Sequence, residues 1–139
     1  MYPSMILITI CTLLFGTNAM NGQNFVTEPK DVILEHLGSQ RIKYSVDMAP
    51  DGSEVIHFKD GKITVEYHLD NEGLCFVYRM RFPEEGLTES VDALDSTFTK
   101  IKEGMWREFD GEQYFIWSLE KMDNGYSISV VTEASLKDH

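Results

Sequence analysis

The side chains in this sequence with most chemical potential are five cations, Lys43, Lys59, Lys62, Arg79 and Arg81, and one thiol–imidazole combination, His68 with Cys75. Their spacing becomes informative once the turns between them are located, because a turn fixes strand register and register fixes which side chains face each other. Asp60-Gly61 has the composition of a two-residue hairpin turn, and residues 70–73 close a longer one. On that register Lys59 faces Lys62, His57 faces Thr64, Glu66 faces Val77 and Lys62 faces Arg81. A loop over residues 49–53 extends the pattern so that Lys43 faces Lys59. The predicted row is Lys43–Lys59–Lys62–Arg81, flanked by Ser45–His57–Thr64–Arg79. Like charges directly opposed across strands repel, so a row of cations in a chain of net charge −11 points to a compensating anion. That anion is a bound ligand, an acidic polymer or a partner's carboxylates. The bland alternative is local neutralisation by Asp60, Glu66, Asp110 or Glu112, or long stems splaying into water.

The same register sets Cys75 opposite His68, with Glu66 on the same face. A thiolate beside an imidazole that a carboxylate orients has the composition of a nucleophilic site. Weighing against it, cysteine commonly serves as a small apolar filler, and no oxyanion-hole loop accompanies the pair. The histidines do not gather for a metal. His57 and His68 share a face but lie on the order of 13 Å apart along neighbouring strands, whereas tetrahedral zinc needs ligands about 2 Å from one point. His36 belongs to the apolar side of a helix and His139 is terminal. No metal site is expected, and with glycine-rich phosphate cradles and serine elbows absent from the sequence, no cofactor. The carboxylates Glu84, Glu85, Glu89, Asp92 and Asp95 surround a helix start, where they favour the macrodipole and solubility.

The elements that position these groups follow from periodicity. Thr27 as N-cap and Pro29 in the first turn open a helix with Val32, Ile33, His36 and Leu37 on one side, stopped by Gly38. Alternation then predicts four strands. Ile42, Tyr44, Val46 and Met48 mark the first, Ile56 and Phe58 the second, Ile63, Val65, Tyr67 and Leu69 the third. Leu74, Phe76, Tyr78, Met80 and Phe82 mark the fourth, which Pro83 ends. Leu87, Val91, Leu94, Phe98, Ile101 and Met105 recur at steps of four and three, which predicts a second helix of about five turns. Residues 113–120 and 126–130 read as a hairpin about Asn124-Gly125, with residues 105–109 as a short additional strand. The fold class is therefore α+β: an antiparallel sheet of six to seven strands with two helices packed on one face, in the order α-ββββ-α-ββ(β).

Composition narrows the functional classes. The run Met5–Phe15 is apolar or neutral and about 16 Å long as a helix, roughly half of a bilayer's hydrocarbon core. It fits the apolar region of a signal peptide over residues 1–19, with Thr17-Asn18-Ala19 as the cleavage site or cleavage as late as Gly22. Residues 20–139 then form a single exported α+β domain, secreted or periplasmic, without a membrane anchor in the mature chain. Cys75 is the one cysteine after the leader, which excludes a disulfide framework within the chain. With 23 acidic against 12 basic residues, nucleic acid is not expected as a partner. The functional reading is a non-enzymatic binding or accessory module that uses the outer face of its sheet for an anionic ligand or a protein partner. A small enzyme with scattered site residues and a structural assembly subunit are the alternatives. Oligomeric state stays open at this level.

Overall fold

A computed structural model describes residues 24–137; the segment expected to be a signal peptide and His139 lie outside the described residues. The chain forms α1 (Lys30–Ser39), β1 (Ser45–Met48), β2 (Glu54–Asp60), β3 (Ile63–Leu69) and β4 (Cys75–Phe82). A 3₁₀ turn (Glu84–Gly86) leads into α2 (Leu87–Thr97), followed by β5 (Thr99–Lys102), β6 (Met105–Phe109), β7 (Tyr114–Met122), β8 (Gly125–Thr132) and α3 (Glu133–Lys137). All eight strands join one sheet in the order β1-β2-β3-β4-β8-β7-β6-β5, and every neighbouring pair is antiparallel. Two four-stranded meanders thus lie side by side, joined along β4–β8.

Alternation makes the core. Ile63, Val65, Tyr67 and Leu69 of β3 are buried in strict period two, as strands with one covered face require. They join Ile56 and Phe58 of β2, Tyr78, Met80 and Phe82 of β4, Ile128 and Val130 of β8, Trp117 of β7 and Trp106 of β6 in one cluster. Helix α1 adds Ile33 and Leu37, and α2 adds Leu94. Trp106 is fully buried, and its indole donates to Asp95 of α2 at 2.8 Å, so the ring's polar edge is satisfied as burial demands.

Three features depart from the sequence expectation. First, the second helix stops at Thr97, and the segment Thr99–Lys102 is a strand, which brings the sheet to eight strands rather than six or seven. Phe98 takes extended backbone angles. The helical spacing of Phe98, Ile101 and Met105 is outweighed by the β-branched and aromatic residues Thr97, Phe98 and Thr99, which favour a pleated surface. Ser96 adds a local competitor, its hydroxyl donating to the Asp92 and Ala93 carbonyls. Ile101 consequently faces solvent. Phe98 reaches the core by stacking on Trp117, with ring centroids 4.8 Å apart.

Second, the helices are not simply a pair on one face. The five-residue α3 is tied to the sheet by Glu133, which accepts from Arg107 Nε at 3.0 Å. Arg107 follows the buried Trp106 and so points to the opposite, outer side. Third, Thr27 is not the cap of α1. The N-cap position is Pro29, without a side-chain cap, and Thr27 sits at φ 80 with its amide donating to the Cys75 carbonyl at 2.7 Å. Gly38 lies inside the helix, and the chain reverses at Arg41, whose φ is 58.

Candidate functional site on the outer sheet face

The β1–β2 register is the predicted one, Val46 facing Ile56, but β2–β3 is displaced by two residues and β3–β4 by two as far as the bulge at His68. Lys59 pairs with Thr64 and Asp60 with Ile63, so Gly61 at φ 63 is the first central residue of the turn and Lys62 the second. Glycine at the first central position is the type II′ arrangement; the expectation had placed Asp60-Gly61 together in the turn. Because side chains alternate with period two, a two-residue slip keeps every face and changes every partner. The row that forms is Lys59–Thr64–Arg81–Ser127, beside Ser45–His57–Glu66–Arg79–Ser129. Lys43 precedes β1, and Lys62 is at a turn. The continuous row of four cations is therefore absent.

Glu66 organises what stands in its place. Its Oε1 accepts from the His68 ring Nε2 at 2.9 Å and its Oε2 from Arg81 Nη1 at 2.6 Å, while register sets it between His57 and Arg79. The His68 hydrogen bond holds the Glu66 carboxyl below the usual carboxylate range, against the opposing effect of burial, with the charges of Arg81, His68 and Arg79 adding to the lowering. A lowered folded pKa stabilises the fold above the ordinary carboxylate pKa, and that stability is lost as pH falls through the lowered value. His57 pairs in turn with Asp47, and Arg79 Nε donates to Ser129 at 3.1 Å across the β4–β8 seam. Glu66 is thus the carboxylate that neutralises Arg81 and His68, and the Arg81 Nε remains shielded without an acceptor among the described residues.

The cysteine goes elsewhere. A β-bulge next to His68 pairs Cys75 with Leu69 and His68 with Val77. Cys75 is buried in the core cluster, its Sγ contacts the Val77 carbonyl at 3.5 Å, and burial pushes its pKa up to about 12. His68 faces outward to Glu66. The thiol and imidazole are not opposed, and such a thiol is almost wholly protonated at neutral pH.

Lys62 and Arg81 do converge, on a pocket of about 370 Å³ at the margin of the outer face. Its remaining walls are Phe82 and Pro83 at the end of β4, and Met122, Asp123, Asn124, Gly125 and Tyr126 about the β7–β8 turn, so that one carboxylate, Asp123, shares the pocket with the two cations. Phe82 and Tyr126 are ring neighbours, centroids 6.2 Å apart, and the Lys121 ammonium lies 5.2 Å from the Tyr126 ring centroid. Lys62 is held by Glu85 at 3.1 Å, an exposed pair of the kind that contributes little and yields readily to another anion. Gly125 is indispensable here. At φ 145, a Cβ on it would stand 2.3 Å from the Phe82 carbonyl oxygen, so only glycine lets the β7–β8 turn close onto β4. Sequence reasoning missed the apolar half of this pocket, because nothing local dictates that β8 lies against β4. The signal was the pair Met122 and Tyr126 flanking the turn, which is Asp123-Asn124 rather than the expected Asn124-Gly125, since Gly125 pairs with Met122.

A second cavity, of about 480 Å³, is lined by the carboxylates Glu28, Glu108, Asp110 and Glu112. Glu108 is buried and accepts from the Trp117 indole and the Asn24 amide, each at 2.9 Å. Burial raises its pKa, opposed by those two hydrogen bonds and reinforced by the Asp110 charge. Among the described residues no group of three or more histidine, cysteine or acidic side chains is arranged to hold a metal ion, and no helix is long and apolar enough to cross a membrane. The structure thus defines an α+β class built on one mostly antiparallel eight-stranded sheet. No protein-family model, curated protein or solved structure matches the chain.

Proposed function

We propose that the protein is an exported, non-enzymatic binding module whose ligand carries an anionic head and an apolar body, held where Lys62 and Arg81 meet Phe82, Pro83, Met122 and Tyr126. The observation that carries this reading is the shared pocket: two of the five cations singled out in the sequence line it, beside an apolar wall. Small-molecule sites combine a mainly apolar lining with a few polar groups that fix orientation, and Arg81 offers a planar, multi-donor head suited to carboxylate or phosphate. Export rests on the apolar run Met5–Phe15 and the small residues Thr17-Asn18-Ala19. Arg79, paired with Ser129 and opposite Glu66, and Lys59 supply positive potential around the head group.

Titration with inorganic phosphate and with octanoate, followed by amide chemical shifts, tests the reading. Octanoate should move the Lys62, Arg81, Gly125 and Tyr126 amides and bind more tightly than phosphate, which lacks the tail. Lys62→Glu should weaken octanoate binding at least about tenfold with little change in melting temperature, because Lys62 and its partner Glu85 are both exposed and solvent screens the like charges that the substitution creates. Arg81 is the poorer choice for charge reversal, since Arg81→Glu would set a second carboxylate against Glu66. Equal affinity of the parent and Lys62→Glu, or octanoate shifts confined to another surface, would sink the proposal.

A further inference from the structure

The sheet ends on two exposed four-residue strands, β1 and β5, and they are not equivalent. An edge strand presents a row of unpaired backbone donors and acceptors, and proteins blunt such edges with lysine, proline and bulges. The β5 edge is blunted: it carries Lys100 and Lys102, with a bulge between them. β1 itself carries none of these devices, although Lys43 stands two residues before it. Ser45–Met48 contains no lysine or proline, its four pairs with β2 run without a shift, and Tyr44, Val46 and Met48 leave 40%, 37% and 68% of their surfaces exposed. Residues 42–44 lead into it without helix or turn, so the free edge extends back through Lys43.

The sequence of that edge is its own complement. An antiparallel pairing of two copies about a dyad at Ser45 sets Tyr44 against Val46 and Lys43 against Asp47, each twice. Directly opposed residues of an antiparallel pair share a face. Val46 opposite Ile56 belongs to the buried side, so the apolar contacts would extend the core side and the Lys43–Asp47 pairs the outer side. Moving the dyad by one residue, to Val46, sets Ser45 against Asp47 and loses both ion pairs. A two-fold interface must be self-complementary in this way. We infer that β1 pairs with β1 of a second copy of this chain, through Lys43–Asp47 contacts, to make a continuous sixteen-stranded sheet from two eight-stranded ones. This inference is independent of the anion pocket, which lies at the β2–β3 and β7–β8 turns.

A short strand pair covers less than the roughly 800 Å² per partner of a standard interface, so the dimer is weak, with a dissociation constant on the order of 10–100 µM. Sedimentation of the purified protein across about 5–500 µM should show reversible dimers, with amide exchange slowing at residues 43–47 as concentration rises. Lys43→Asp makes the edge wholly acidic and Asp47→Lys makes it wholly basic. Each alone should stay monomeric, and an equimolar mixture should form the heterodimer, because both crossed pairs become Asp–Lys. Asp47→Lys also removes the His57 partner; if it melts early, Lys43→Ala, which leaves that contact intact, should still weaken dimerisation about tenfold. A parent that remains monomeric throughout is contrary to the inference, including one that protects residues 43–47 only when another protein is added. So is a dimer that survives both charge changes, or well-folded variants that fail to pair when mixed.

Discussion

Gly125→Ala should be among the most costly small substitutions in this molecule. Two effects add. The residue sits at φ 145, in a region of backbone space used almost only by glycine, and an alanine held there costs about 1–3 kcal/mol. The new Cβ would also stand 2.3 Å from the Phe82 carbonyl oxygen and 3.1 Å from the Pro83 Cα. Both obstacles are backbone, so relief requires the end of β4 to move away from β8, and overpacking of that kind adds about 1–3 kcal/mol. The sum, about 2–6 kcal/mol, is a large part of the 5–15 kcal/mol typical of a domain. Gly61→Ala is the internal control: Gly61 has φ 63 with nothing within 4 Å of its would-be Cβ, and should cost only about 1 kcal/mol. Urea denaturation monitored by tryptophan fluorescence reads both, since Trp106 and Trp117 are fully buried. A Gly125→Ala midpoint no lower than that of Gly61→Ala would show that the β4–β8 turn contact is slack, and the tight closure described above would be wrong.

Two further outcomes follow from buried ionisable groups. Glu108 has a raised folded pKa, so it favours folding at pH below the ordinary carboxylate pKa and that contribution is lost as pH rises through the folded value. Glu108→Gln should therefore flatten the fall in stability across that window, whereas Glu108→Ala should cost about 1–3 kcal/mol by stranding the Trp117 indole; thermal melts at several pH values would expose the error if the parent and Glu108→Gln ran parallel. Cys75, its thiol pushed up to about 12 by burial, should resist iodoacetamide at pH 7.5 in the native protein and react only on unfolding; native labelling at the rate of a free thiol would contradict its placement in the core.

Much of the fold was legible because period-two burial is a local property. The buried sets of β2 and β3, and of β4 from Tyr78 to Phe82, could be read directly, and the faces on which Glu66, His68, Arg79 and Arg81 point came with them; at the start of β4 the bulge exposes Phe76 and buries Cys75 instead. Register was not legible to the same degree. Asp60-Gly61 fits a turn in two ways, and the choice between them turns on whether Gly61 is the first or the second central residue, which no neighbouring residue announces. That ambiguity moved Lys59 from Lys62 to Thr64, and the β-bulge at His68/Leu69, equally unannounced, shifted the next hairpin and separated Cys75 from His68. The second helix failed for a different reason: Phe98, Ile101 and Met105 satisfy helical spacing by coincidence, while β5 is stabilised by pairing with β6, a contact beyond the reach of a local pattern. The pocket's apolar wall was hidden by the same non-local fact, the meeting of β4 and β8.

That meeting governs how the molecule can be assembled. Within each meander, strands pair with the neighbour next along the chain, across loops of a few residues, whereas Tyr78 must find Val130 and Phe82 must find Tyr126. Closing such distant pairs costs chain entropy that hairpins do not incur. Each meander can therefore mature early and on its own, and cooperativity rests on one late docking event between two partly built halves. A chain cut in the stretch between β4 and β5 would retain all the strand pairing within each half, and the fragments would need only the β4–β8 seam to recombine.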